Sequence, residues 1–189
     1  MVVTDEALMR AVREGDLSRL GTLFDRYHVP LFDFLSRMTG DRHVAEDLVQ
    51  EVFLRILKYR TTYRDDTPFR TWVYRIARNA RLDYFAKRDK GMPFSEEALQ
   101  SPDRGPGPEA AFEQQRESAL LRAALMRLRE DRRELIILAR YREMKHEDIA
   151  ELLGIDSGTV KVRIHRALND LRDEFLLLIE KPSCDAKIP

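Results

Sequence analysis

Apolar residues recur along the chain at three- and four-residue spacing, and no stretch alternates apolar with polar long enough to make a half-buried strand. Leu17, Leu20, Phe24, Tyr27, Leu31 and Leu35 mark an early helical stretch, which Pro30 interrupts or bends. Gly40 closes it, and Asp41 offers an oxygen to the free amides of the next helix. That helix carries Val44, Leu48, Val52 and Ile56 on one side, with Val49, Phe53 and Leu57 widening the stripe. Thr67-Pro68 opens a third helix, because the first turn leaves unpaired the N–H that proline lacks. The periodicity lapses after Lys90. Between Gly91 and about Gln115, Pro93, Pro102, Pro106 and Pro108 alternate with Gly105 and Gly107, and acids far outnumber the single Arg104. Such a stretch builds no core and predicts an extended linker.

Helical spacing then returns. Leu121, Leu125 and Leu128 mark one helix and Leu135 to Tyr141 a buried second. Ile149, Ala150 and Leu153 predict a short amphipathic helix closed by Gly154, and Val160, Ile164, Leu168, Leu171 and Phe175 a last one. The fold class expected is all-α. Two small helical domains, residues 1–90 and 116–181, are joined by a flexible acidic linker over 91–115 and followed by a tail over 182–189, and the C-terminal domain is a helix-turn-helix.

Charge changes this picture only locally. Lys plus Arg and Asp plus Glu each number 33, so a polyanionic partner has to be argued from distribution, not from the net charge of zero. The lone cysteine, Cys184, cannot form an internal disulfide and suits a reducing compartment; in a polar tail it is a spectator thiol or an oxidant sensor. Asp5, Glu6 and Glu14 leave the N-terminal segment without the apolar stretch of a signal peptide, and nothing is apolar enough to span a membrane. A cytoplasmic protein without membrane insertion is expected.

The sharpest local signal runs from His146 to Arg166. Ala150 is small where two helices cross closely, Gly154 sits where the turn needs a left-handed backbone, Ile155 plugs the core, and Asp156 or Ser157 caps the following helix. Val160 packs back on the first helix. This is the spacing of a DNA-reading helix-turn-helix. The outward face of its second helix carries Lys161, Arg163 and Arg166, the charges that phosphates and guanine edges require; the bland alternative is a solvated face.

In the N-terminal half, the segment from Pro68 to Lys90 divides at helical pitch. Phe69, Trp72, Val73, Ile76, Ala80 and Tyr84 fall on one side, and Arg70, Tyr74, Arg78, Arg81, Phe85 and Arg88 on the other. Cations interleaved with rings suit single-stranded nucleic acid, whose backbone needs charge and whose unstacked bases need stacking partners. A surface helix with snorkelling arginines is the alternative. The preceding helix is acidic, with Asp41, Glu46, Asp47 and Glu51 flanking Gln50, and reads as a solvated face or a docking face for a basic partner, not as a metal site.

Taken together, the run Gly40 to Leu57, the run Pro68 to Asn79 and the helix-turn-helix strongly resemble bacterial sigma factors, and the short length resembles their extracytoplasmic-function (ECF) subfamily, which keeps two domains and a linker. The resemblance covers about Asp16 to about Phe175. It implies that Glu46, Asp47, Gln50 and Glu51 dock on the clamp helices of the largest subunit of core RNA polymerase. It implies that Arg70, Tyr74, Arg78, Asn79, Arg81, Phe85 and Arg88 bind the upstream −10 promoter element and hold its melted non-template strand. Asn79 and the loop Tyr63 to Thr67 would pocket a flipped base, whose extrusion stacking and hydrogen bonds must offset. Ser157, Thr159, Lys161, Val162, Arg163, His165 and Arg166 would read the −35 element in the major groove, and the linker would thread the polymerase channels that later hold RNA.

The same resemblance implies promoter DNA and an anti-sigma factor as partners, no cofactor, and a monomer when free. Three positions depart from the family pattern. Trp72-Val73 stands where housekeeping members have a tryptophan pair, leaving Trp72 as a core residue or a DNA wedge. Val162 replaces a common serine and offers a methyl contact to thymine in place of a hydrogen bond. Lys145-His146 replaces a capping serine, which predicts a weaker helix start.

Two rival classes remain. An ordinary helix-turn-helix regulator would not need an acidic helix followed by a basic-aromatic one. An enzyme would need more than His146-Glu147, because Ala150 occupies the place of the second histidine in a zinc-protease helix. No phosphate-binding glycine loop appears either.

Overall fold

The computed structural model describes residues 3–88 and 109–180. Capping decides where its helices begin. Helix α1, Asp5–Arg13, starts where Thr4 Oγ1 accepts from the Ala7 amide at 3.2 Å, with Asp5 and Glu6 in the first turn and Arg10 and Arg13 in the last, matching the helix dipole. Helix α2, Arg19–Thr39, contains Pro30 without being interrupted by it. Its core stripe is Leu23, Tyr27, Leu31, Phe34, Leu35 and Met38, whereas Leu17 and Phe24 of the predicted stripe are exposed. Gly40 ends α2 with φ of 75°, the left-handed conformation that favours glycine. Asp41 Oδ1 then accepts from the amides of His43 at 2.9 Å and Val44 at 3.2 Å, starting α3, Arg42–Tyr59.

A single 3-10 turn, Arg60–Thr62, follows, and then α4, Phe69–Arg88. The first amide of α4 is satisfied from far away: Glu6 Oε1 of α1 accepts from the Phe69 N–H at 3.2 Å, across 63 positions of sequence. Leu8, Met9, Leu31, Phe34, Val52, Ile56, Phe69 and Val73 fill the space between α1, α2, α3 and α4.

Helix α5, Glu109–Arg127, begins inside the stretch read as linker, seven residues before the expected domain start at 116. Most of the linker, residues 89–108, lies outside the described residues, as do Cys184 and the tail. Helix α6, Glu130–Ile136, passes into a π-turn over Ile137–Tyr141, where the Arg142 amide donates to the Ile137 carbonyl at 2.9 Å. Helix α7, His146–Leu153, starts at Lys145, whose side chain makes no cap bond, as the missing serine predicts; Glu147 and Asp148 in its first turn suit the dipole there. Gly154, at φ of 66°, makes the turn, and Asp156 Oδ2 accepts from the Thr159 amide at 3.0 Å, so Asp156 and not Ser157 starts α8, Ser157–Glu180.

The described residues are all-α, with no strand. The two helical blocks do not stand apart. Buried apolar residues of both form one contiguous cluster, from Leu8 in α1 to Ala167 in α8. Polar bonds cross the same seam. Arg133 donates to the Met38 carbonyl at 2.8 Å while also holding the carbonyls of Met126 and Leu128 in its own block. Arg142 donates to the Pro30 carbonyl at 3.1 Å and to Asp33, and the Arg37 guanidinium sits 4.0 Å above the Tyr141 ring.

Candidate nucleic-acid interface

The helix-turn-helix is built from the inside out. Val160, Ile164 and Ala167 of α8 are buried against Ile149, Ala150 and Leu152 of α7. Helical pitch therefore forces the intervening residues outward. Ser157, Lys161, Val162, Arg163, His165 and Arg166 are exposed, and Thr159 is half-buried. Among the described residues, Lys161, Arg163 and Arg166 form no ion pair, and His165 meets only Asn169, one turn on, at 3.4 Å. Val162, half-exposed among these cations, presents methyl groups to solvent. A face with three unengaged cations, a hydroxyl, an imidazole and an apolar tip can meet phosphates and base edges together.

The basic face of α4 is arranged differently, and two expected residues are corrected. Tyr74 is 1% exposed and packs edge-on against Phe34 of α2, with ring centroids 5.2 Å apart. Arg81 is 2% exposed and donates to Glu130 Oε1 at 2.5 Å. Next to it, Arg78 Nε lies 3.1 Å from one Glu134 oxygen and donates to the other at 3.2 Å. Arg75 donates to the Glu151 carbonyl at 3.2 Å and reaches its carboxylate at 3.4 Å. The physical reason is that α4 is buried on two sides: Val73 and Ile76 join the N-terminal core while the arginine side lies under α6 and α7. Ala77, fully buried between Tyr74 and Arg81, is the sequence signal for that second contact. Arg70, Phe85 and Arg88 are half-buried, and Asn79 is exposed.

Burial and charge pull the two glutamates of α6 in opposite directions. Glu134 is buried, and desolvation raises its carboxyl above the ordinary value of 4.5 despite Arg78 beside it. Glu130 is half exposed, and the hydrogen bond from Arg81 holds its carboxyl below that value.

The loop before α4 is anchored at Tyr63. Tyr63 is buried; its hydroxyl donates to the Thr67 carbonyl at 3.0 Å, and Arg13 donates to its own carbonyl at 3.0 Å. Burial pushes the Tyr63 phenol up to about 12. Trp72 stacks edge-on against Tyr63 at 5.2 Å and is buried, which makes it a core residue in this conformation. Of the expected base pocket, Asn79 and the side chains of Arg64 to Asp66 face solvent.

On α3, Glu46, Asp47 and Gln50 are exposed, while Glu51 is held at 2.6 Å by Arg55, which also binds Asp83 of α4 at 2.7 Å. Sequence reasoning missed Leu54, 62% exposed, which extends the row of 47, 50 and 51 at helical spacing and puts an apolar tip on the acidic face. Among the described residues no group of three or more His, Cys, Asp or Glu is placed to hold a metal ion, and no helix is long and apolar enough to cross a membrane.

With this geometry established, similarity to known proteins is informative. Residues 23–91 match the family model "Sigma-70 region 2" and residues 118–171 the model "Sigma-70, region 4". The ECF RNA polymerase sigma factor SigW of Bacillus subtilis is 30% identical, over 88% of this chain and 94% of that protein. RpoE of Cereibacter sphaeroides, another ECF sigma factor, is 32% identical over 89% of this chain and 93% of that protein. SigE of Mycolicibacterium smegmatis is 36% identical over 72% of this chain, which is 54% of that longer protein. Among solved structures, CnrH in complex with the cytosolic domain of CnrY has the same fold, with a TM-score of 0.69 at 24% identity, covering 94% of this chain and 99% of the other.

Proposed function

The chain belongs to the ECF sigma factors of bacterial RNA polymerase, and from that premise we propose how its surfaces divide the work. It is a transcription-initiation factor that binds core RNA polymerase and directs it to promoters. The exposed face of α8, from Ser157 to Arg166, reads the −35 element: Lys161, Arg163 and Arg166 contact phosphates or guanine, and Val162 contacts a thymine methyl. The acidic face of α3, with Glu46, Asp47, Gln50 and Glu51, docks on the polymerase, and Leu54 adds an apolar contact at its end. Helix α4 binds the −10 element through Arg70, Arg78, Asn79, Arg81, Phe85 and Arg88, once α6 has moved off it. The protein acts in the cytoplasm, where its polymerase and DNA are.

An anti-sigma factor is the expected inhibitor. RpoE of Bartonella quintana, of the same fold at a TM-score of 0.65 and 23% identity, was solved with the anti-sigma factor NepR. The observation that carries the whole reading is the unengaged basic face of α8 on the same chain as an acidic, apolar-tipped α3. A helix-turn-helix regulator accounts for the first and has no use for the second. Run-off transcription with core polymerase stripped of its own sigma subunit tests it: promoter-dependent transcripts are expected on adding this protein. Their absence from every template the relatives recognise would return the chain to the ordinary regulators.

A further inference from the structure

Helix α1 lies ahead of residues 23–91, the segment matched to region 2. Its apolar residues Leu8, Met9 and Val12 enter the core, and Asp5 accepts from Arg26 at 2.5 Å and from Tyr27 at 2.6 Å, which fixes α1 on α2. Glu6, Arg10 and Arg13 do something else: all three reach the segment that leads into α4. Arg13 donates to the Tyr63 carbonyl at 3.0 Å and to Asp65 Oδ2 at 3.2 Å, and Arg10 donates to Asp65 Oδ1 at 3.4 Å. Both oxygens of Asp65 are therefore held from α1, and the hydrogen bond from Arg13 keeps its carboxyl below the ordinary value of 3.8. The Tyr63 hydroxyl ties down Thr67, and Glu6 ties down Phe69. The anchors alternate along the chain. Residues 63, 65, 67 and 69 are held, and between them Arg64, Asp66 and Pro68 are exposed, the first two by 78% and 66%.

We propose that α1 is a clamp for base selection: Arg10 and Arg13 hold Asp65 so that Arg64 and Asp66 are presented in one fixed arrangement to the DNA strand that α4 binds. The inference rests on the reading of α4 as the −10-binding helix. It adds Glu6, Arg10 and Arg13 as positioning residues, whose polar groups are engaged by the chain itself. Charge argues the same way. Alone, the loop carries two carboxylates against the single guanidinium of Arg64 and would repel phosphates; with the two arginines of α1, three cations stand against two carboxylates. Asp66 can then accept from a base amino group, and Arg64 can donate to a base nitrogen or carbonyl, without the loop turning the strand away. Order contributes separately. A held loop has already given up the freedom that a mobile one would lose on binding, and it cannot reshape itself around a wrong base.

Two full-length variants open the clamp from opposite sides: Arg10→Gln/Arg13→Gln from α1, and Asp65→Asn from the loop. These side chains are 50%, 26% and 46% exposed, so the core is left intact. Arg19→Gln/Arg42→Gln is the control, because Arg19 pairs with Asp16 and Arg42 stands at the far end of α3 from the loop. Circular dichroism verifies that each variant is folded. Each is combined with core polymerase, the holoenzyme selects from a randomised double-stranded DNA pool, and the enriched sequences are read position by position. In both clamp variants, preference at one position of the −10 element is expected to fall roughly tenfold, the discrimination of one base contact. Preferences in the −35 element, and those of the control throughout, are expected to match wild type. One clamp variant removes positive charge and the other negative, so a loss of preference shared by both cannot be an effect of charge. Unaltered preferences in folded clamp variants overturn the proposal. An even loss at every position, the −35 element included, makes α1 a stabiliser of the fold alone and overturns it too. If wild-type holoenzyme enriches a −35 element and no −10 element, the reading of α4 itself fails and takes the clamp with it.

Discussion

At the residue scale, one helical face can carry opposite meanings. Arg166 and Arg81 look alike in sequence, yet one reaches solvent beside Val162 and the other is 2% exposed with its Nε unpaired. Arg166→Ala is expected to weaken −35 binding by about 1–3 kcal/mol if it reads a base, and to relax specificity at that position. Gel-shift titrations on matched and mutated elements decide it, since an equal loss on all sequences assigns the residue to phosphate. Glu134 offers a prediction with a sign in pH. Because burial raises its carboxyl pKa in the folded chain, ionising it opposes the fold, so this penalty is absent well below 4.5 and present in full above the raised value. Glu134→Gln should therefore melt at or above the wild-type temperature at pH 7, with the gap narrowing as pH falls toward 4.5. A variant that melts well below wild type at pH 7 would show that the Arg78 pairing outweighs desolvation.

Elements were legible in sequence where a cap or a turn fixed them. Gly40-Asp41 and Gly154 to Asp156 did so, because a left-handed glycine followed by a capping carboxylate leaves the backbone few alternatives. Pro30 does not interrupt its helix, since a continuous helix of 21 residues runs through it. The weak start of α7 was also legible, and it is correctable. Lys145 already has the extended backbone of a cap, with φ of −64° and ψ of 151°, so Lys145→Ser should stabilise the protein by about 1 kcal/mol. Urea titration measures this, and no rise in midpoint would mean that Glu147 and Asp148 already satisfy the end of the helix. On α3, Asp47→Ala/Gln50→Ala is expected to lower affinity for core polymerase at least several-fold with thermal stability unchanged, both side chains being exposed. Surface plasmon resonance against immobilised core tests it, and unaltered binding removes the docking assignment.

Across the whole molecule, what escaped the sequence was the meeting of the two blocks. Periodicity reports that a helix has an apolar face, and it does not report that an arginine face will be covered by glutamates some fifty positions away, such as Glu130 on Arg81. Tyr74, Arg78 and Arg81 were therefore expected outside, whereas the face of α8, with no second layer over it, was placed correctly. A shared core has a measurable consequence. Trp72 is the chain's only tryptophan and reports the N-terminal block, while far-UV dichroism reports both. The two signals should follow one denaturant transition. Loss of tryptophan fluorescence well before helix content would show blocks that unfold separately.

The bond from Glu6 to the Phe69 amide also bears on how the chain is made. During synthesis α1 leaves the ribosome first, but its carboxylate has no helix end to hold until Phe69 has emerged, 63 positions later. Until then α1 has its partners on α2, where Arg26 and Tyr27 both donate to the Asp5 carboxylate. Clipping the leading residues through Glu6 from a finished protein would leave α1 shortened and fray the start of the helix that carries Trp72.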